Sequence, residues 1–110
     1  MVNLKKLEDT LHLKKYLWLL EKFVAKEVVV EDFEKLFLKI RSDDQYWLQS
    51  RFDQRIGKVL DTFFLDVDAY TPPALFEEGK GDINEESLRL TASRALDTLQ
   101  AILQQFKDEL

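Results

Sequence analysis

The chain has 110 residues, enough for one domain and too few for two ordinary ones. By size scaling it should bury roughly 65% of its unfolded surface, so a core needs no disulfide or metal. It has no cysteine, one histidine and three glycines, which excludes thiol chemistry and zinc–thiolate sites and leaves little for a Ser–His–Asp set or a phosphate loop. Its 45% hydrophobic and 34% charged residues, with 16 basic against 21 acidic side chains (net −5), describe a soluble acidic domain of the interaction type. That sign argues against nucleic acid as a direct partner.

No stretch approaches the ~20 apolar residues of a membrane helix, so no membrane association is expected. Residues 1–9 mix Leu4 and Leu7 with Lys5, Lys6, Glu8 and Asp9, unlike a secretory signal, and a cytoplasmic location follows as an expectation. The last four residues, Lys107-Asp108-Glu109-Leu110, spell an endoplasmic-reticulum retention address. With no secretory signal beside them, they read as the frayed end of a helix.

In chain order, Leu13, Tyr16, Leu17, Leu20, Phe23 and Val24 recur every three or four positions, opposite Lys14, Lys15, Glu21 and Lys22. This is an amphipathic helix that starts between Asn3 and Thr10. Val28-Val29-Val30 reads as an extended connector. Glu31 and Asp32 suit the first turn of a second helix, where acids meet the positive end of the dipole. Its stripe is Phe33, Leu36, Phe37 and Ile40, and it ends near Arg41. Ser42-Asp43-Asp44-Gln45 has the spacing of a capping box. The third helix then carries Tyr46, Trp47, Leu48, Phe52, Ile56, Val59, Leu60, Phe63, Phe64 and Val67, with a bend near Ser50 or Gly57. Thr71 before Pro72-Pro73 stops it.

Residues 71–83 form a long connection with Gly79 and Gly81. Asn84 caps the last helix, with Ile83 and Leu88 as a hydrophobic staple. Its stripe is Leu88, Ala92, Ala95, Leu96, Leu99, Ile102, Leu103 and Phe106. The expected fold is all-α: a small four-helix bundle, one domain over residues 1–110, with a long acidic loop between the third and fourth helices.

Charge is uneven. Residues 1–60 carry 12 basic and 10 acidic side chains, whereas residues 61–110 carry 4 and 11. Within 61–86, Asp61, Asp66, Asp68, Glu77, Glu78, Asp82, Glu85 and Glu86 face Lys80 alone. Asp66 and Asp68 also lie near a helix C-terminus, the end where the dipole disfavours acids. These residues, with Tyr70 as an amphipathic anchor and Phe76 in the loop, are the candidate partner-binding set. A calcium loop fails: Asp66, Asp68 and Glu77 have the outer spacing, but Tyr70, Thr71 and the two prolines occupy its interior. No catalytic set is recognisable, so no enzyme, metal or cofactor is expected. His12 reads as a surface or helix-edge residue, and Trp18 and Trp47 as core or core edge.

The run Val59-Leu60-Asp61-Thr62-Phe63-Phe64-Leu65-Asp66-Val67-Asp68-Ala69-Tyr70 resembles the colicin D-type immunity family, which includes immunity proteins of contact-dependent inhibition systems. Asn84-Glu85-Glu86-x-Leu88-Arg89 and Phe33-Glu34-x-x-Phe37 fit it too, and the similarity spans roughly residues 11–106. The resemblance implies a helical bundle that binds the C-terminal nuclease domain of a toxin, typically one cutting transfer RNA, and blocks its basic active site with an acidic surface. The toxin-contacting acids of the family fall here on Asp66, Asp68, Glu77, Glu78 and Asp82. Pro72-Pro73 and Phe76 would then set which toxin is recognised. A free monomer is expected. The competing class is an acidic helical adaptor or assembly subunit with no toxin, which would leave an apolar patch open and self-associate. A helix-turn-helix regulator is disfavoured by charge.

Overall fold

A computed structural model describes residues 3–109. The side chain of Asn3 accepts the Lys6 N–H at 3.2 Å and so opens α1, Leu4–Val24. Lys26, in the left-handed region at φ 62°, ends that run, and Val29 leads into α2, Val30–Ser42. Next come the single turn α3, Gln45–Leu48, then α4, Gln54–Ala69, and α5, Glu85–Glu109. All five elements are helical; among the described residues the only extended pairing is one isolated bridge, Tyr70 to Ile83. Three cross-links fix the directions. Arg89 donates to the Phe23 carbonyl, joining the end of α1 to the start of α5. Lys6 and Arg55 both pair with Glu109, joining the starts of α1 and α4 to the end of α5. The long helices therefore run up and down, filling 54 × 25 × 24 Å.

The core is aromatic. Phe23 stacks on Phe33 at 4.0 Å between ring centroids, and Phe37 meets Tyr16, Trp47 and Phe63 edge-on. Leu13, Leu19, Leu20, Ile56, Leu60, Leu88 and Leu99 are among the aliphatic residues packed with it. The α5 stripe is buried as its periodicity demands, Leu103 in part.

Several expectations are corrected. The third helix is interrupted fully, not merely bent, at one of the two positions expected to bend it. It breaks at Ser50, which sits at φ 55°, and leaves α3 as one turn. Ser42 does not cap it; Ser42 ends α2, and Asp44 accepts the Tyr46 and Trp47 N–H groups at 3.0 and 3.3 Å. Asp53 caps α4 through the Arg55 N–H at 2.9 Å. Leu36 and Leu48 are exposed rather than on the apolar stripe, and Val30 is buried at the start of α2. Trp18 is exposed, while Trp47 is buried. Gly57 does not bend α4, which runs through it from Gln54 to Ala69. The end of α5 is not frayed through Glu109, which its two ion pairs hold in place; Leu110 lies outside the described residues.

The connection after α4 is pinned at its base. Thr71 N–H donates to the Ile83 carbonyl at 2.9 Å, and Ile83 N–H to the Ala69 carbonyl at 3.0 Å. Gly79 and Gly81, at φ 80° and 82°, make the left-handed turns that bring the chain back. Asn84 then accepts the Ser87 N–H at 2.8 Å, as expected of the cap.

Candidate functional site

In an up-and-down bundle the start of α2, the end of α4, the loop 70–84 and the start of α5 share one end. The carboxylates of that end come from three elements. Burial, then Glu31, then Asp68 raise the Glu34 carboxyl above its ordinary value, with Lys35 opposing. The Tyr70 phenol is likewise raised, by burial first and then by Glu31, Glu85 and Glu34. Glu31, Glu34 and Glu85 thus lie around the buried ring of Tyr70, whose hydroxyl bonds to Glu31, and Asp68 acts on Glu34 beside them. Arg89 answers Glu85 at 2.9 Å, which leaves the rest of the group mutually repulsive. Helix-start acids such as Glu31 and Glu85 are stabilised by the N-terminal dipole, whereas Asp68 at the end of α4 is not.

The candidate residues divide. Residues two apart on a helix differ by about 200° in direction, so Asp66 and Asp68 point to different sides. Asp68 joins the end cluster. Asp66 lines a groove of about 330 Å³ between α4 and α5, with Val59, Phe63, Arg94 and Ala95, and burial raises its carboxyl. Asp61 is further along α4, where it accepts the indole N–H of Trp47 at 2.7 Å. Asp82 is turned inward to the loop and accepts the Glu77 N–H at 3.0 Å. Glu77, Glu78 and Glu86 are exposed, Phe76 is half-buried, and Tyr70 packs in the core. Glu31 and Glu34 were missed from sequence.

The opposite end treats its acids differently. Asp9 is fully buried in α1 and accepts from Lys5 at 2.6 Å, from the Tyr46 hydroxyl and from the Asp53 N–H at 3.1 Å. Burial and Asp9 push the Tyr46 phenol up to about 12. Burial alone would raise Asp44, but bonds from Tyr16, Lys15 and the Trp47 N–H override it and hold the carboxyl below its ordinary 3.8. His12 is not simply at the surface; it stacks on Tyr46 at 3.8 Å. Lys15, 3.1 Å from Asp44, is part of this network. The two buried carboxylates here, Asp9 and Asp44, each have a donor set.

Among the described residues, no group of three or more His, Asp or Glu side chains is placed to hold a metal ion. No helix of the described residues is long and apolar enough to cross a membrane. The acidic end presents negative charge from three helices.

The model of one protein family, bacterial self-protective colicin-like immunity, matches residues 11–99. No curated protein and no solved structure matches the chain.

Proposed function

The chain belongs to the bacterial self-protective colicin-like immunity family, and on that premise we propose that it binds the nuclease domain of a cognate toxin and covers that domain's basic active site with its own acidic end. The family makes it an immunity protein of the toxin-neutralising kind, a role that fits a non-catalytic binder. The colicin D-type subclass, a link to contact-dependent inhibition, a transfer-RNA-cleaving toxin and action in the cytoplasm are part of the proposal.

One observation carries this reading: Glu31, Glu34, Asp68 and Glu85, from three helices, crowd one end of the bundle without enough cations to balance them. Folding gives no reason for the crowding, because like charges brought together destabilise the compact state. A nuclease that grips an RNA backbone must present cations, and a fixed set of carboxylates is complementary to them. Close charge pairs of this kind couple by roughly 1.5–7 kcal/mol and raise the association rate. Exposed Glu77, Glu78 and Glu86, with Phe76 and the two prolines, would extend the contact from the loop.

The test uses the C-terminal domain of a cognate toxin, sought as a neighbouring gene for a large protein ending in a basic nuclease domain, and assays cleavage of bulk transfer RNA. The protein should abolish cleavage, and Glu31→Gln/Asp68→Asn should weaken binding at least tenfold while remaining helical. Lys14→Ala serves as the control and should bind as the parent does. Full inhibition by the double variant at low and high salt places the contact elsewhere. A toxin domain that neither binds nor is inhibited by the parent refutes the reading.

A further inference from the structure

The loop that leaves α4 is ordered by its own hydrogen bonds. On its outward limb Leu75 N–H donates to the Pro72 carbonyl at 2.9 Å, and Phe76 N–H to the Pro73 carbonyl at 3.4 Å. On its return limb Gly79 and Gly81 take the left-handed region. Asp82 ties the two limbs together: an oxygen of its carboxylate accepts the Glu77 N–H at 3.0 Å, five residues back. Among the described residues this is the one side-chain hydrogen bond made within 72–82. The loop so held presents Leu75, 70% exposed, beside the exposed Glu77 and Glu78, with Phe76 half-buried between them.

We propose that Asp82 is a positioning residue for partner binding: its carboxylate holds the loop in the shape that presents Leu75, Glu77 and Glu78 to the toxin, and its charge does not meet the toxin. The inference rests on the reading of the acidic end as the toxin-binding face. It changes the part expected of Asp82 from sequence, where it counted as a contact acid. The use of the carboxylate decides between the two roles. A contact acid keeps its oxygens for the donors of the partner, as exposed Glu77 and Glu78 can. Asp82 is half-buried and spends an oxygen on a backbone N–H of its own chain. Accepting that N–H needs an oxygen and not a charge, so asparagine can do it as well.

The tie matters because the two limbs differ in stiffness. Pro72 and Pro73 fix φ on the outward limb. The return limb, Gly79-Lys80-Gly81, has two glycines, the residue that loses most conformational freedom on ordering. Without Asp82 the loop must be ordered at the moment of binding. Apparent affinity then falls by the fraction of molecules that already hold the binding shape.

Two variants separate oxygen from charge, Asp82→Ala and Asp82→Asn. Both should keep the helical spectrum of the parent, because the position lies outside the helices. Amide hydrogen exchange, read by NMR in the free protein, tests the loop itself. Asp82→Ala should speed exchange of the Glu77 amide roughly three- to tenfold, the range that an ordinary hydrogen bond controls, and Asp82→Asn should leave it near the parent rate. An unchanged rate in Asp82→Ala overturns the proposal. Binding to the cognate toxin domain tests the consequence. Asp82→Ala should weaken it roughly three- to tenfold and Asp82→Asn less than about twofold. Equal losses in the two variants overturn the positioning role and make Asp82 a contact acid. No loss in either overturns it too and takes the loop out of the contact, while Glu31→Gln/Asp68→Asn reports separately on the acidic end. A parent that neither binds nor inhibits the toxin domain refutes the proposed function and this inference with it.

Discussion

Replacing Asp44 tests how the junction between α2 and α3 is held. One oxygen of its carboxylate accepts the N–H groups of Tyr46 and Trp47, and the other accepts the Tyr16 hydroxyl at 2.5 Å and lies 3.1 Å from Lys15 Nζ. Asp44→Ala removes a helix cap, typically ~1 kcal/mol. It also leaves the hydroxyl of a fully buried tyrosine without an acceptor, a further ~1–3 kcal/mol. The sum is about 2–4 kcal/mol, a large share of the ~5–15 kcal/mol that holds a domain together. Asp44→Asn keeps a capping oxygen and should cost only about 1 kcal/mol. Tyr16→Phe made together with Asp44→Ala removes the orphan with its partner, so the double variant should be at least ~1 kcal/mol more stable than the two single losses add up to. The pH dependence has a definite sign. Because the folded carboxyl is held below 3.8, its contribution is fully present above that pH and is lost as pH falls through the lower folded value. Asp44→Asn should therefore flatten the acid side of the stability profile. Urea melts followed by circular dichroism, repeated from pH 2 to 7, supply all of these values. Additive single losses, or an unchanged acid limb in Asp44→Asn, would refute the reasoning.

Gly57→Ala should stabilise the protein by up to ~1 kcal/mol in the same melts, because alanine favours the helix and its Cβ meets nothing within 4 Å. Glu34→Gln should stabilise near neutral pH. Its folded carboxyl titrates above the ordinary 4.5, so its unfavourable charge appears as pH rises through that raised value, and the gain should vanish below pH 4.5. Gly81→Ala forces a side chain into φ 82° and should lower the melting temperature, by an amount corresponding to ~1 kcal/mol, with the helical signal intact.

The helices were legible because their buried positions follow the 3.6-residue period, most plainly in α5 from Leu88 to Phe106. The loop was legible because Pro72-Pro73 and two glycines act locally. The break at Ser50 was only half legible. Neither glycine nor proline stands at residues 50–53, and the turn depends on Asp9, more than forty residues away, receiving the Asp53 N–H. Three candidate caps in a row, Ser42, Asp43 and Asp44, share one stretch, and the choice among them is made by Tyr16 across the core. For the site, counting acids along the chain found Asp68 and Glu85 and grouped Asp66 with them. It passed over Glu31 and Glu34, which local reading assigned to a helix start. Counting charges by bundle end, with helix directions alternating, brings both into view and separates Asp66 from Asp68.

The two ends of the bundle treat their acids differently. At the α3 end, burying Asp9 and Asp44 is tolerable because each has donors on several sides: lysine, tyrosine and backbone N–H. At the other end, Glu34 is half-buried against Glu31 and Asp68, and its carboxyl is raised rather than lowered. The same sequence therefore surrounds Asp9 and Asp44 with donors and leaves Glu34 beside two other acids, with only Lys35 opposing. Under the proposed function, cations of the toxin would meet these carboxylates, and binding should draw a proton from the raised Glu34 carboxyl. Titration calorimetry in buffers of different ionisation enthalpy, between pH 4.5 and 6, should detect proton release on binding in the parent and its loss in Glu34→Gln. Equal proton release in both would show that Glu34 stays outside the interface.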